Sequence, residues 1–256
     1  MGRHQASKEE LLSALDHSLH KTFRSDAWPL LSPAEQSSWG SYVAMQHYGH
    51  QTRLLDWTES FAYAVYFAQE RKVNQEAAVW ILSPEELNQQ AHGIRALIGL
   101  DEPQPANGFP TDLWLPGRAL ERRSDSRSLS QQTVRDNRPI AAQPLLFNPR
   151  MSAQRSRFTV AGWDFDAIED SFPRAVRKVI LPPETYDDAD IFLRLAGVNA
   201  YTLYPDHAGL ALRQATESAR QETAIEKQMM FMLQQQFMRV ADHVSQVKLP
   251  TDKSES

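Results

Sequence analysis

Four short apolar runs limit what this chain can fold into. Ala77-Ala-Val-Trp-Ile-Leu82, Arg157-Phe-Thr-Val160, Arg177-Lys-Val-Ile-Leu181 and Asn199-Ala-Tyr-Thr-Leu-Tyr204 each have the length of a strand rather than of a helix. The segments between them differ in length and character and keep no regular strand–helix–strand rhythm. That mixture predicts an α+β fold, one mixed helix and strand domain with a small sheet, not a doubly wound parallel sheet.

The helical parts carry their own start signals. Ser7-Lys-Glu-Glu10 is a capping box, and Leu11, Leu12, Leu15, Leu19 and Phe23 follow at helical spacing. Ser32-Pro33-Ala34-Glu35 offers a serine cap with proline in the first turn, so a second helix is predicted from there to about His47, closed by Gly49. Thr58-Glu-Ser60 opens a third, Phe61 to Ala68, apolar on nearly every side and expected to be central and buried. Ser83 caps a short helix, Glu184 to Ala196 forms another, and Asp206 starts one that runs past residue 240. From about 92 to 145 the pattern fades into proline, glycine, serine and arginine, a long irregular segment in which Leu113-Trp-Leu115 must still dock.

With 256 residues, one large domain with an appendage is expected. The net charge of −5 gives no global basic field to gather nucleic acid. There is no cysteine, which excludes disulfides, thiolate catalysis and cysteine-based metal sites. The start, MGRHQASKEELL, lacks the apolar core of a signal peptide, and no apolar run has bilayer length. A cytoplasmic location with no membrane contact is the expectation.

Chemistry-bearing residues crowd one stretch, Ala44 to Thr58, AMQHYGHQTRLLDWT. His47, His50 and Asp56 form no H-E-x-x-H pattern, and no metal is expected. His47 reads as a neutral, hydrogen-bonded imidazole, either structural or facing a substrate. Arg53 and Asp56 allow two readings. They form an ion pair pinning a turn between two helices, or Arg53, helped by Thr52, holds a phosphate. Tyr48 either stacks on a ligand ring or seals the core. Leu54 and Leu55 are core anchors, and Trp57 is more at home in the core than as a platform. G-x-S-x-G, Walker A and G-x-G-x-x-G strings are all absent.

QHYG at 46–49, TRLLDWT at 52–58 and AVYFA at 64–68 together resemble the FRG domain, a bacterial family named for an N-terminal Phe/Tyr-Arg-Gly tripeptide. AVWIL at 78–82, Pro149-Arg150, Gln154, Phe158-Thr159, VILPPE and LYPDHAGLA at 203–211 agree in order, so the resemblance spans roughly residues 8 to 212. Gln51 stands where the family pattern has proline. The tripeptide is absent: Phe23-Arg24-Ser25 is the nearest string, and the chain is expected to begin just after the family's first strand. The domain plan is therefore 1–212 FRG-like, 213–248 a helical extension and 249–256 a disordered tail.

The resemblance implies a component of an antiphage or toxin–antitoxin system, similar in arrangement to ADP-ribosyltransferases and using NAD as substrate. His47, Arg53 and Gln154 are the implied catalytic set, with Tyr48, Thr52, Arg53 and Asp56 around the nucleotide. Gln154, placed before a strand, would hydrogen-bond the nicotinamide ribose; an amide is no base, so its part is positioning and electrostatics. The alternative is a non-catalytic binding module. Its surfaces would be the arginine-rich segment 118–138, for nucleic acid phosphates, and the terminal helix. There Met230, Leu233, Phe237, Val240 and Val244 step by three and four, a stripe suited to an antitoxin or a second copy.

Overall fold

The computed structural model describes residues 7–70, 75–100, 109–117, 137–163 and 166–246. Two compact units divide at Pro205–Asp206. The first unit is α+β.

Helix α1 (Lys8–Ala27) begins as its capping box requires. The Glu10 amide donates to Ser7 Oγ at 3.2 Å, and the Ser7 amide donates to Glu10 Oε2 at 2.8 Å. Its buried face is not the leucine row, however. Ser13, Asp16, His20 and Phe23 point inward, while Leu11, Leu15 and Leu19 lie at the surface. The core side of α1 meets hydrogen-bonding partners on the next helix and therefore takes polar side chains.

Helix α2 (Ser38–His47) starts later than the serine–proline signal suggests. Ser32 and Glu35 do exchange hydrogen bonds, but these close a single turn, and Ser37 supplies the real cap by accepting from the Gly40 amide at 2.9 Å. Trp39 to Met45 are all buried. The helix ends in a Schellman pattern. The Gly49 amide reaches the Gln46 carbonyl and the His50 amide the Met45 carbonyl, each at 3.0 Å, with Gly49 at φ +83°.

The chain then enters strand β1 (Leu54–Thr58), not the expected turn between helices. Leu54 is buried and Leu55 exposed, because successive strand residues face opposite ways; only one of the two is a core anchor. Ser60 caps helix α3 (Phe61–Gln69). This helix is not enclosed: Val65 and Gln69 are buried, whereas Phe61 and Phe67 are exposed. It lies on a ribbon only two strands wide, too thin to cover every face.

That ribbon pairs β2 (Ala77–Leu82) antiparallel with β6 (Val176–Leu181), Val79 opposite Val179. Val79 packs against Val65 and Leu193. Trp80 and Ile81 remain exposed, contrary to a fully buried strand, and Lys178 sits over the Trp80 ring.

The main sheet has four strands in the order β1, β5 (Ser156–Val160), β4 (Ile140–Gln143), β3 (Ile98–Gly99). The β1–β5 and β5–β4 pairs are antiparallel and β4–β3 is parallel. Two of these strands arise inside the segment 92–145 that reads as irregular. They are short, and β4 is Ile-Ala-Ala-Gln, whose small residues give little period-2 contrast although Ile140, Ala141 and Ala142 are fully enclosed. Helix α4 (Pro84–His92) is fastened to β4 by Asn88, whose Nδ2 donates to the Ala141 carbonyl at 2.8 Å while its Oδ1 accepts the Ala141 amide at 2.8 Å. Leu113 and Trp114 lie in a 3-10 turn (Thr111–Trp114) at the centre of the largest apolar cluster, with Tyr42, Met45, Ile140 and Phe158.

Helix α5 (Pro149–Ala153) leads into β5, α6 (Ile168–Ser171) precedes β6, and α7 (Tyr186–Leu195) covers the ribbon. Asn199 to Tyr204 does not form a strand. Asn199 accepts from the Tyr201 and Thr202 amides, and Thr202 returns a bond to Asn199, so the segment becomes helix α8 (Ala200–Leu203).

The second unit is dominated by α9 (His207–Gln246), capped by Asp206, which accepts the Gly209 amide at 2.9 Å. Ile225 and every residue from Met229 to Leu233 are exposed. The side chains of Phe237, Val240 and Val244 fall outside the described residues, as do Arg118, Arg122, Arg123, Arg127, Arg135 and the tail 249–256. No described helix is long and apolar enough to cross a membrane.

Candidate functional site

The residues from Gln46 to Thr58 divide between two environments. Arg53 belongs to the interior. Its Nε donates to Asp16 Oδ2 at 2.9 Å, one terminal nitrogen donates to the Ala161 carbonyl at 2.5 Å, and the other donates to the Trp114 carbonyl. The guanidinium carbon lies over the Trp163 ring, 4.0 Å from its centre. Tyr42 joins the group: its hydroxyl donates to Asp16 Oδ1 at 2.8 Å and accepts the Arg53 amide at 2.8 Å. Burial pushes the Tyr42 phenol far up. Arg53 thus pairs with Asp16 and not with Asp56. The reason is geometric: Asp56 follows Arg53 on an extended strand, whereas α1 brings Asp16 straight to the guanidinium.

His20 completes this interior cluster. Its Nε2 lies 2.9 Å from Ser41 Oγ, and its ring meets Tyr42 edge-on at 5.3 Å. Burial lowers its pKa to about 4, with nearby Asp16 pulling the other way.

The remaining motif residues form a polar surface. Gln46 links two of them, donating from Nε2 to Asp56 Oδ2 at 2.5 Å and accepting from the Thr52 hydroxyl. Thr52 Oγ1 also accepts the Leu54 amide at 3.1 Å, so its hydroxyl is spent within the loop. Asp56 keeps one side in solvent, yet neighbouring chain crowds its carboxyl enough to raise its pKa, against the pull of Gln46 and His47. His47 lies in the field of Asp56, Glu35 and Arg150; burial and then Arg150 hold its pKa below the usual value. Tyr48 is 60% exposed, and its hydroxyl bonds to Glu35, which with partial burial raises the phenol pKa. Its ring packs on His47 at 5.2 Å.

Gln154 ends α5 and stands just before β5. Thr58, the last residue of TRLLDWT, donates its hydroxyl to the Gln154 carbonyl at 2.8 Å. One helical turn earlier, Arg150 stacks over the Tyr204 ring at 4.6 Å. The Tyr204 hydroxyl donates to Glu70 at 3.1 Å, and burial together with that carboxylate pushes its pKa up to about 12.

The structure therefore gathers His47, Asp56, Thr58, Arg150, Tyr204 and the backbone carbonyl of Gln154 around β1 and α5. It does not bring Arg53 to Gln154. Arg53 is opposite Ala161 at one end of the β1–β5 ladder and Gln154 lies beyond the other end, about 20 Å away at ordinary strand rise. Arg150 and Tyr204 are not in the sequence-derived set. Arg150 is visible in the sequence as an arginine one turn before Gln154, but nothing there joins it to His47 or Tyr204. Asp16 had a signal too: Ser13, Asp16 and His20 make a polar row on a capped helix. Among the described residues no group of three or more His, Asp or Glu is placed to hold a metal ion.

No curated protein and no solved structure matches the chain. A family model, the FRG domain, matches residues 1–77. The match takes in α1, α2, β1 and α3 and ends at the first residue of β2. The resemblance carried by QHYG and TRLLDWT is thereby upheld over residues 1–77.

Proposed function

We propose that this chain is an effector of an antiphage or toxin–antitoxin system, ADP-ribosyltransferase-like, that takes NAD as substrate. The glycosidic bond between nicotinamide and ribose breaks, nicotinamide leaves with the bonding pair, and the ribose carbon bonds to a nucleophile of a macromolecule, or to water in hydrolysis. The observation that carries this reading is the convergence of the β1 motif with α5. Thr58 is bonded to the carbonyl of Gln154, and Arg150, one turn away, acts on the electrostatics of His47.

The residues fit a dinucleotide in kind. Arg150 supplies positive charge for a diphosphate, Tyr48 and Tyr204 supply ring faces, and Asp56 supplies an acceptor for ribose hydroxyls. Gln154 would hold the nicotinamide ribose. Arg53 leaves the nucleotide set and becomes the support of the strand that carries Asp56 and Thr58.

The second reading is a binding module without catalysis. It is favoured by the full engagement of Arg53 inside the fold, which leaves the most conspicuous cation of the motif with a structural task. Labelled NAD, incubated with the purified chain and total cellular RNA, DNA or protein, separates the two. Label moving to one acceptor class, and lost in Gln154→Ala and Arg150→Ala with unchanged melting temperature, supports the transferase. The absence of both turnover and NAD binding would sink it.

A further inference from the structure

Helix α1 leaves an apolar row in solvent. Leu11 is 61% exposed, Leu15 52% and Leu19 37%. They are spaced by four on a helix, so they form one stripe, and the opposite side of α1 is the one that enters the core. Lys8 stands on the same stripe at its start and Thr22 and Asp26 at its end, all exposed. The stripe runs into a groove of about 910 Å³ walled by Leu19, Phe23, Asp26, Leu30, Met45 and Tyr48. An apolar row continuing into an apolar groove is a surface built to be covered.

The row is complementary to itself when reversed. Laid antiparallel on a second α1 with Leu15 opposite Leu19, the same register brings Leu11 to the groove that the largely buried Phe23 lines, and Lys8 beside Asp26. Every one of these pairs occurs twice about a two-fold axis, which is the property of an isologous interface. The parallel arrangement would set Lys8 against Lys8 and Asp26 against Asp26. Leu19, Phe23 and Asp26 are also groove residues, so Leu15, Leu11 and Lys8 of the second copy enter the groove in that order.

We propose that α1 is a dimer interface, packed antiparallel against α1 of a second copy, with a Lys8–Asp26 ion pair at each end. The proposed contact uses no residue of the terminal helix and does not rest on the catalytic reading.

Sedimentation of the full chain tests it. A dimer is expected, and Leu15→Glu should give a monomer with the native circular dichroism spectrum, since Leu15 is outside the core, and with a melting temperature that no longer depends on concentration. Lys8→Glu and Asp26→Lys should each weaken association several-fold, and the two together should restore it. The chain has no native cysteine, so Leu15→Cys copies mixed with Leu19→Cys copies should form a mixed disulfide on mild oxidation. A chain that stays monomeric at every concentration would overturn the proposal. So would a dimer indifferent to Leu15→Glu, or one lost in Met230→Glu while Leu15→Glu is silent.

Discussion

Arg53 Nε and Asp16 Oδ2 lie 2.9 Å apart, and the two side chains keep only 7% and 8% of their surface. The pair joins the first helix to the start of the first strand, and the two carbonyls on the guanidinium join both to the segments around Trp114 and Ala161. Removing one member leaves the other charged, buried and unmatched. Arg53→Ala should therefore cost about 3–5 kcal/mol in chemical denaturation. Arg53→Lys should recover little, because an ammonium cannot serve three diverging acceptors in one plane. The loss is expected whether or not the protein is an enzyme, so Arg53 variants do not discriminate between the two functional readings.

His20 makes stability depend on pH. Its folded pKa, about 4, lies below the ordinary 6.5, so between those values the unfolded chain binds more protons. Stability contributed by the neutral ring is complete above about pH 6.5 and falls as pH drops toward 4. The loss is about 3 kcal/mol from the size of the shift. Denaturation midpoints from pH 4 to 7 should slope accordingly in the native chain. His20→Gln, which keeps a polar group near Ser41, should flatten that slope.

Asn88 is wholly enclosed and carries both an amide and a carbonyl of β4, besides the Ala96 carbonyl at 2.7 Å. Asn88→Leu would match its size and abandon those partners in the interior. A loss of about 2–4 kcal/mol is expected from stranded backbone groups. Amide exchange should show it locally, with Ala141 losing protection first.

Two glycines at positive φ should respond differently to alanine. Gly49, at φ +83°, has open space where a Cβ would go, so Gly49→Ala should cost only the backbone term, about 1–2 kcal/mol. Gly117, at φ +89°, has His17 Nδ1 2.2 Å from that position. Gly117→Ala must also move the His17 ring, and its thermal midpoint should fall further than that of Gly49→Ala.

Much of the fold is legible in the sequence where a segment states its own geometry. Ser7 with Glu10, Ser60, Asp206 and Gly49 mark their helix ends correctly because capping is a local bargain between a side chain and nearby amides. Asn199 is the same kind of signal and caps its helix in the same way, although the apolar run that follows it reads as a strand. Strand β1 was hidden because its neighbours in space, Ser156 to Val160, are a hundred residues away in the chain. The candidate site divides in the same manner. His47, Asp56 and Thr58 cluster by sequence proximity. The choice of Asp16 over Asp56 for Arg53, and of Arg150 and Tyr204 for the site, depends on packing between distant segments and has no local trace.

The clasp at Arg53 also sets an order for biosynthesis. Its ties reach Trp114 and Ala161, so when the FRG-matched residues 1–77 leave the ribosome the guanidinium has Asp16 but neither carbonyl. At ordinary elongation rates of about 5–20 residues per second, several seconds pass before Ala161 follows. During that interval α1 and the residue before β1 hold a charged pair without its roof. The nascent chain is then an unfinished core, open to chaperones and proteases, and the N-terminal third gains its native stability only when the strand from Ser156 to Val160 arrives.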